Sequence, residues 1–573
     1  MRLLNLLVSL SSCLLVCLPG RADDVIDSPM YRTPAIPVAR VVKTFPDGMM
    51  KLWLQALERP ESDYKANAAI AIAAAHERGL KGLEASVDPL RRELAKPDIR
   101  PVVRTSIVRA LVALDARHAA PDLLKLTDSG DADLSELIVP ALARWDYKPA
   151  RAGWLEQLHR PPYRRATVLA IQALARVGEE KAAPALRELA LSDEASMAVR
   201  LEAARALSEP RADAEVDAER LMSGGLGPRL IAATLLGRAS GDAAVAPLLN
   251  LAKDPEPAIA KNALIRLVYG RNAGHVVPLL ESVLANPDAI VRGLGVEILL
   301  RQPSAEHVRL LGTRLDDPHP DVRLQARRAL RELAAKAEWR EPVLREATRM
   351  LEANDWRGHE QSAILLAQLG HRPAADGLLK RLTSDRPEVC IAAAWALRQL
   401  AVPDSLPAAL DHFNRTLRGN SGVPATAVDP QLCQLAQFFG QVKYEPADST
   451  LRALIPPRTA GPETRAAAIW ALGHLHAGQP DAEIARACEG RIRAVVPGDL
   501  EDNRVRRMSA TALGLMKAKD SLGTLREFYR DKRLTLDMVQ NACAWSISQM
   551  TGEPVLPGIV ESQQSDWFLV PAK

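Results

Sequence analysis

From Trp53 onward the apolar and polar positions of the chain recur with the period of a helix. The clearest stretch is Asp321-Val-Arg-Leu-Gln-Ala-Arg-Arg-Ala-Leu330. With Val322 as position 1, Ala326 falls at position 5, Ala329 at 8 and Leu330 at 9. This i, i+4, i+7, i+8 spacing gathers the apolar residues on one helix face. Position 1 recurs at Val199, Pro228, Ile259, Val291 and Val322, in steps of 29, 31, 32 and 31 residues. Val389 follows 67 residues later, room for two units, with the intermediate helix around 362–369. Earlier units centre on 66–75, 103–111, 134–142 and 166–174, and later ones on 432–439, 464–472, 505–513 and 539–547. A second helical phrase lies between them, as at 243–257 and 273–289. Asn286-Pro287-Asp288 and Asp316-Asp317-Pro318 break it before the next helix, which Asp288 or Asp321 can cap. Each unit is therefore a helix–turn–helix pair. One such pair cannot bury its apolar face alone, so the units must stack, and about fifteen are predicted.

The recurring "DxxVR…A…AL" phrase resembles the HEAT repeat in its short bacterial, phycobilisome-lyase-type form. The matching residues are Asp321/Val322/Arg323/Ala326/Ala329/Leu330, Val199/Arg200/Ala203/Ala206/Leu207 and Val505/Arg506/Ala512/Leu513. The resemblance covers residues 53–552 and implies an all-α fold, a right-handed superhelical alpha-solenoid of about fifteen HEAT-like pairs. It also implies that the arginine at position 2 (Arg104, Arg200, Arg229, Arg292, Arg323, Arg506) reaches an aspartate of a neighbouring unit. Its name suggests lyase chemistry on bilin chromophores, but no nucleophile or chromophore motif accompanies the repeat.

Flanking segments break the rhythm. Residues 1–22 read as an export signal: Arg2, an apolar run from Leu3 to Leu18, Pro19-Gly20, then small residues before Asp23. Leu10-Ser11-Ser12-Cys13 offers a lipoprotein alternative, disfavoured because the apolar run continues past Cys13. A periplasmic or extracellular location is expected, with no stable membrane span after signal cleavage. Residues 23–52 form a proline-containing arm or linker, 53–552 the repeat, and 553–573 a C-terminal tail. In that tail Trp567-Phe568-Leu569 is expected to cap the last apolar face. Cys390, Cys433, Cys488 and Cys543 form no C-x-x-C pair. Buried free thiols are the simplest reading, and one disulfide stays open. The 74 basic and 70 acidic residues are nearly balanced and spread along the chain. A nucleic-acid binder would concentrate a basic excess, so nucleic acid is not an expected partner.

Catalytic signatures are missing from the sequence. It has no phosphate loop, no H-E-x-x-H and no G-x-S-x-G, and no cofactor is expected. The glycine cluster at 223–227 and the Asp317-Pro318-His319-Pro320-Asp321 stretch read as inter-helix turns. His474 and His476 are a weak metal candidate, because zinc usually requires a third or fourth ligand.

Binding is more legible. At about 100° per residue, position 7 points about 140° away from positions 1, 5 and 8 and should face the concave groove. Along the chain it reads Arg109, Gln172, Arg205, Thr234, Ile265, Glu297, Arg328, Trp395, Trp470, Thr511 and Trp545. The three tryptophans recur in "AAAWAL", "AAIWAL" and "ACAWSI" at intervals of 75 residues. They fill volume over alanine-rich neighbours, or they serve as platforms for an extended ligand. The predicted binding residues are Trp395, Trp470 and Trp545, with Arg109, Arg205 and Arg328 as electrostatic candidates. The expected function is a non-catalytic scaffold that holds a protein or extended peptide in the groove, with a glycan also admissible. The alternatives are a structural subunit of a cell-envelope assembly and a lyase-type enzyme.

Overall fold

The computed structural model describes residues 26–571, apart from 33–34, 37–38, 128–129, 161–162, 208–211, 238–241, 271–272, 497–499, 530–532 and 564–565. The predicted export signal and its Cys13 alternative lie outside the described residues. Thirty α-helices follow one another among the described residues, two for each of fifteen units, and the fold is an all-α solenoid. The chain divides into two compact units. One contains the described residues up to Val41 and Leu299–Val560, the other Val42–Ile298 and Glu561–Lys573.

In the first unit, five second helices carry the repeat phrase in succession: Pro387–Leu400, Ala425–Gln441, Pro462–Leu475, Asn503–Met516 and Met538–Thr551. They are called here the Trp395, Gln437, Trp470, Arg507 and Trp545 helices. Each packs directly on the next. Their starts follow from local chemistry. Pro387 and Pro462 open their helices where a missing N–H costs nothing, and Asp537 accepts from the amides of Val539 and Gln540 at 2.8 Å each. The Trp470 helix is capped from its neighbour: Asp429 accepts from the Thr464 amide at 2.8 Å and its hydroxyl at 2.6 Å. Gly461 leaves room for that carboxylate, since a Cβ there would lie 2.2 Å from Asp429 Cγ.

Small residues set the helix spacing. A Cβ on Gly440 would meet Ala471 Cα at 2.6 Å and the Trp470 ring at 3.1 Å. A Cβ on Gly514 would meet the Trp545 ring at 2.6 Å. Each of these indoles therefore rests on a glycine of the preceding second helix. Packing this close leaves residues 392–398, 431–440, 464–473 and 508–514 buried without interruption. Position 7 in the other unit is more open: Arg109, Gln172, Arg205 and Ile265 are exposed, and Thr234 and Glu297 are half-buried.

The position-2 arginines do less reaching than the resemblance implies. Arg323 donates to the carbonyls of Asp317 and Pro318 at 2.9 and 3.2 Å, and Arg292 to those of Asn286 and Pro287 at 2.9 Å. Arg104, Arg200 and Arg506 likewise donate to Ile99, Ala190 and Ile492 carbonyls. They satisfy carbonyls left open where the preceding helix or turn of their own unit ends. Arg229 does reach the next unit, with Nε 2.7 Å from Asp254. Arg465 does so as well, pairing with buried Glu501 at 2.7 Å.

The C-terminal tail corrects its expectation. Trp567 packs not on the last helix pair but on Trp53 of the first helix (Met49–Glu58), with ring centroids 5.9 Å apart. Trp53 Nε1 donates to the Phe568 carbonyl, and the Arg78 guanidinium sits 4.6 Å from the Trp567 ring. The exposed apolar side of the first pair recruits the aromatic tail. The four cysteines at 390, 433, 488 and 543 are free and buried.

Gly440→Ala should destabilise the fold by about 1–3 kcal/mol, because the added methyl meets backbone rather than a yielding side-chain tip. Gly490→Ala, in the helix Ala482–Arg493, meets nothing within 4 Å and should be neutral or stabilising. Thermal melts followed by circular dichroism compare the two. Equal melting temperatures would contradict the proposed close approach.

Candidate functional site

The second-helix face of the first unit is covered by the chain's own arm. Asp27, Ser28 and the short 3-10 turn Pro29–Tyr31 lie across it. At the Trp395 helix, three donors converge on Asp27 Oδ1: Trp395 Nε1 at 2.9 Å, Arg398 Nη2 at 2.7 Å and Gln399 Nε2 at 3.1 Å. The Asp27 carbonyl accepts from Arg398 at 3.0 Å and from Gln434 at 3.1 Å. Arg398 Nε in turn donates to Gln434 Oε1 at 2.8 Å, which fixes both side chains. Trp395 and Gln399 are four residues apart and so share a helix face.

One helix further, Gln437 Oε1 accepts from the Ser28 hydroxyl at 3.0 Å and the Met30 amide at 3.1 Å. Its own amide nitrogen donates to the Cys433 carbonyl at 3.1 Å, which holds the oxygen toward the arm. Met30 is fully buried. At the Arg507 helix, Arg507 Nη2 donates to the Tyr31 carbonyl at 2.9 Å, and the guanidinium lies 5.9 Å from the Tyr31 ring. Ile36 lines a cavity of about 180 Å³ with Leu534, Trp545, Ser548 and Val555. The arm thus touches four of these second helices, the Trp395, Gln437, Arg507 and Trp545 helices. It is read through one carboxylate, one hydroxyl and its main chain.

The electrostatics follow from burial and pairing. Burial pushes the Asp27 carboxyl up, but the Trp395 N–H and the Arg398 guanidinium outweigh it and hold the group below its ordinary value. Burial lowers Arg398, and Asp27 opposes that effect. Burial, with Glu463 and Cys433 nearby, pushes the Tyr31 hydroxyl up to about 12. The buried Cys433 thiol is also pushed up to about 12, so it is protonated at neutral pH.

The tryptophans at position 7 are placed differently from the expectation of an open groove. Trp395 and Trp470 are only 5% and 3% exposed, and Trp545 is half-buried. The indole of Trp470, like that of Trp545, packs on the preceding helix, while the N–H of Trp395 is turned to the arm. Arg328 is half-buried on a separate helix, Pro320–Ala334. Arg109 and Arg205 belong to the other unit, where Arg205 pairs with Glu202 at 3.1 Å. Arg398 and Arg507, at positions 10 and 3, are arginines that meet the arm. The two histidines are separated in role. His476 pairs with Asp448 at 2.6 Å, whereas the His474 ring lies 4.1 Å from that of Trp470. Among the described residues no group of three or more potential ligands could hold a metal ion.

Sequence reasoning missed Asp27, Ser28, Met30, Tyr31, Arg398, Gln434 and Arg507. A usable signal was present: the 431–440 and 464–473 stretches are too short of charge to leave a face in water.

No family model matches the chain, and no curated protein matches it. Solved structures do resemble it. One is Kap95p, in a structure describing how its binding induces the switch loops of RanGDP to adopt the GTP-bound conformation. It shows 14% identity, a TM-score of 0.53, and coverage of 88% of this chain and 72% of that one. A Kap95:Nup1 complex gives 15% identity and a TM-score of 0.50, covering 88% and 73%. A Kap121p mutant gives 12% and 0.51, covering 89% of this chain and 57% of its own. At such identities the likeness is one of fold, and it supports the HEAT-repeat reading.

Asp27 makes arm docking sensitive to acid. Its docked pKa lies below the ordinary 3.8, so its contribution is fully present above that value and is lost as pH falls through the docked pKa. The ¹⁵N-tryptophan spectrum of the full chain should therefore show a Trp395 indole resonance that is constant from pH 7 to pH 5 and moves below about pH 4. In Asp27→Asn that titration should disappear. A resonance that titrates unchanged in the variant would contradict the assignment.

Proposed function

We propose that the chain is a non-catalytic, protein-binding scaffold whose second-helix face in the Leu299–Val560 unit takes an extended peptide segment. The observation that carries this reading is the arm itself. A segment of the chain, Asp27 and Ser28 followed by the 3-10 turn Pro29–Tyr31, is already bound there through Asp27, Ser28, the Met30 amide and the Tyr31 carbonyl. A surface that binds main chain as well as side chains suits a peptide better than a glycan. The buried, protonated Cys433 offers no thiolate nucleophile, which favours a scaffold over a lyase-type enzyme. Partner binding by the structurally similar Kap95p is consistent with this reading but does not identify a partner here. Export to the periplasm or the extracellular space belongs to the same proposal and rests on residues 1–22 of the sequence.

The test uses a fluorescein-labelled peptide copying residues 23–36, added to the full chain. The tethered arm competes at an effective concentration on the order of millimolar, so wild-type protein should bind the peptide weakly. Asp27→Ala loosens the tethered copy and should raise apparent affinity for the peptide at least tenfold in fluorescence anisotropy. Adding Arg398→Ala should abolish the gain. No binding to either the wild-type or the Asp27→Ala chain would overturn the reading.

A further inference from the structure

The occupied carboxylate site has counterparts along the stack. On the Trp395 helix, Trp395 and Gln399 both donate to Asp27 Oδ1. The same two positions, a tryptophan and a residue four later, carry Trp470 and His474 one tryptophan helix on, and Trp545 and Gln549 at the next. Each position pair combines an indole N–H with a second nitrogen-bearing side chain four residues later.

The Trp470–His474 pair is the informative one. Trp470 is only 3% exposed, and its Nε1 has no hydrogen-bond partner among the described residues. His474 Nε2 is also buried and also without one. The rings lie 4.1 Å apart, so the two donors share one small region. A buried donor left unpaired forfeits its hydration without compensation, a cost that packing alone does not explain. Phenylalanine would rest on Gly440 equally well. A positive charge lies near His474: after burial, Lys443 is the group that lowers its pKa. The arm touches the helices on either side, at Gln437 and Arg507, so it crosses the Trp470 helix without supplying a described acceptor.

We propose that Trp470 and His474 form a second acidic-side-chain site, which takes an aspartate or glutamate of the extended partner when that partner replaces the arm. This rests on the peptide-binding reading above. It assigns the partner a chemistry: an extended, acidic segment with one carboxylate at the Trp395–Arg398–Gln399 site and another at Trp470–His474. The arm is then a minimal version of the ligand, filling the first site and leaving the second.

A glutamate scan tests this. The residue 23–36 peptide is made with Glu, or with isosteric Gln as control, at each position from 29 to 36 in turn. Binding is measured on the full-length Asp27→Ala chain and on Asp27→Ala/Trp470→Phe, which keeps the ring and removes the N–H. At one position Glu should bind at least fivefold tighter than Gln, and Trp470→Phe should erase that preference while the parent peptide binds as before. A thermal melt confirms that Trp470→Phe is folded, and His474→Leu provides an independent variant with the same expected loss. Absence of a glutamate preference at every position, or a preference that survives both variants, overturns the second site while leaving the peptide-binding reading in place. Failure of every peptide to bind the Asp27→Ala chain overturns both.

Discussion

A helix that is buried on every side needs a partner on every side, and this constraint organises the Leu299–Val560 unit. Its second helices have their first-helix partners on one flank and neighbouring second helices on two others. Alanine and glycine bring those neighbours so close that a Cβ at Gly440 would strike backbone. The fourth side would face water, yet it carries Trp395 and Cys433 beside Arg398 and Gln434. Burying those groups is favourable by about 25 cal/mol for each Å² of apolar surface covered. The arm provides that cover. Its polar groups are then forced to find partners, which is why Asp27, Ser28 and the Met30 amide each end on a donor or acceptor of the right kind.

The tryptophans show how packing and recognition coexist in one residue. A phenylalanine would fill the space over a glycine-bearing helix. The indole adds a directional N–H at its edge. On the Trp395 helix that edge meets a carboxylate, flanked by Arg398, whose own burial is tolerable because Asp27 lies 2.7 Å away. The question left open by the sequence, volume or platform, therefore has a joint answer at this position.

Much of the fold was legible because its information is local. The i, i+4, i+7, i+8 spacing, the proline starts and the Asp-containing turns all act within one unit, and repetition averages out exceptions. Position 7 was read as outward from helix geometry alone; Arg109, Gln172, Arg205 and Ile265 are exposed there, whereas the Trp470 and Trp545 indoles pack on the preceding second helix. What covers that position was not legible. Asp27 and Trp395 are separated by 368 residues, and no short-range pattern announces such a pairing. The same applies to Trp567, which was expected to cap the last apolar face and instead packs on Trp53 of the first helix. The arginines at position 2 were misjudged for a different reason. A guanidinium reaches whichever unsatisfied oxygen is nearest, and the carbonyls of its own turn are nearer than the next unit's carboxylate in most units.

The most direct measurement is hydrogen–deuterium exchange at neutral pH on the full chain, read at the Met30 amide and compared with Arg398→Ala. The account predicts strong protection of Met30 in the wild type, because its N–H is buried against Gln437. It also predicts loss of that protection in Arg398→Ala, together with faster exchange in the Ala425–Gln441 and Asn503–Met516 helices that the arm covers. A wild-type Met30 amide exchanging at the rate of an unstructured peptide would contradict the account.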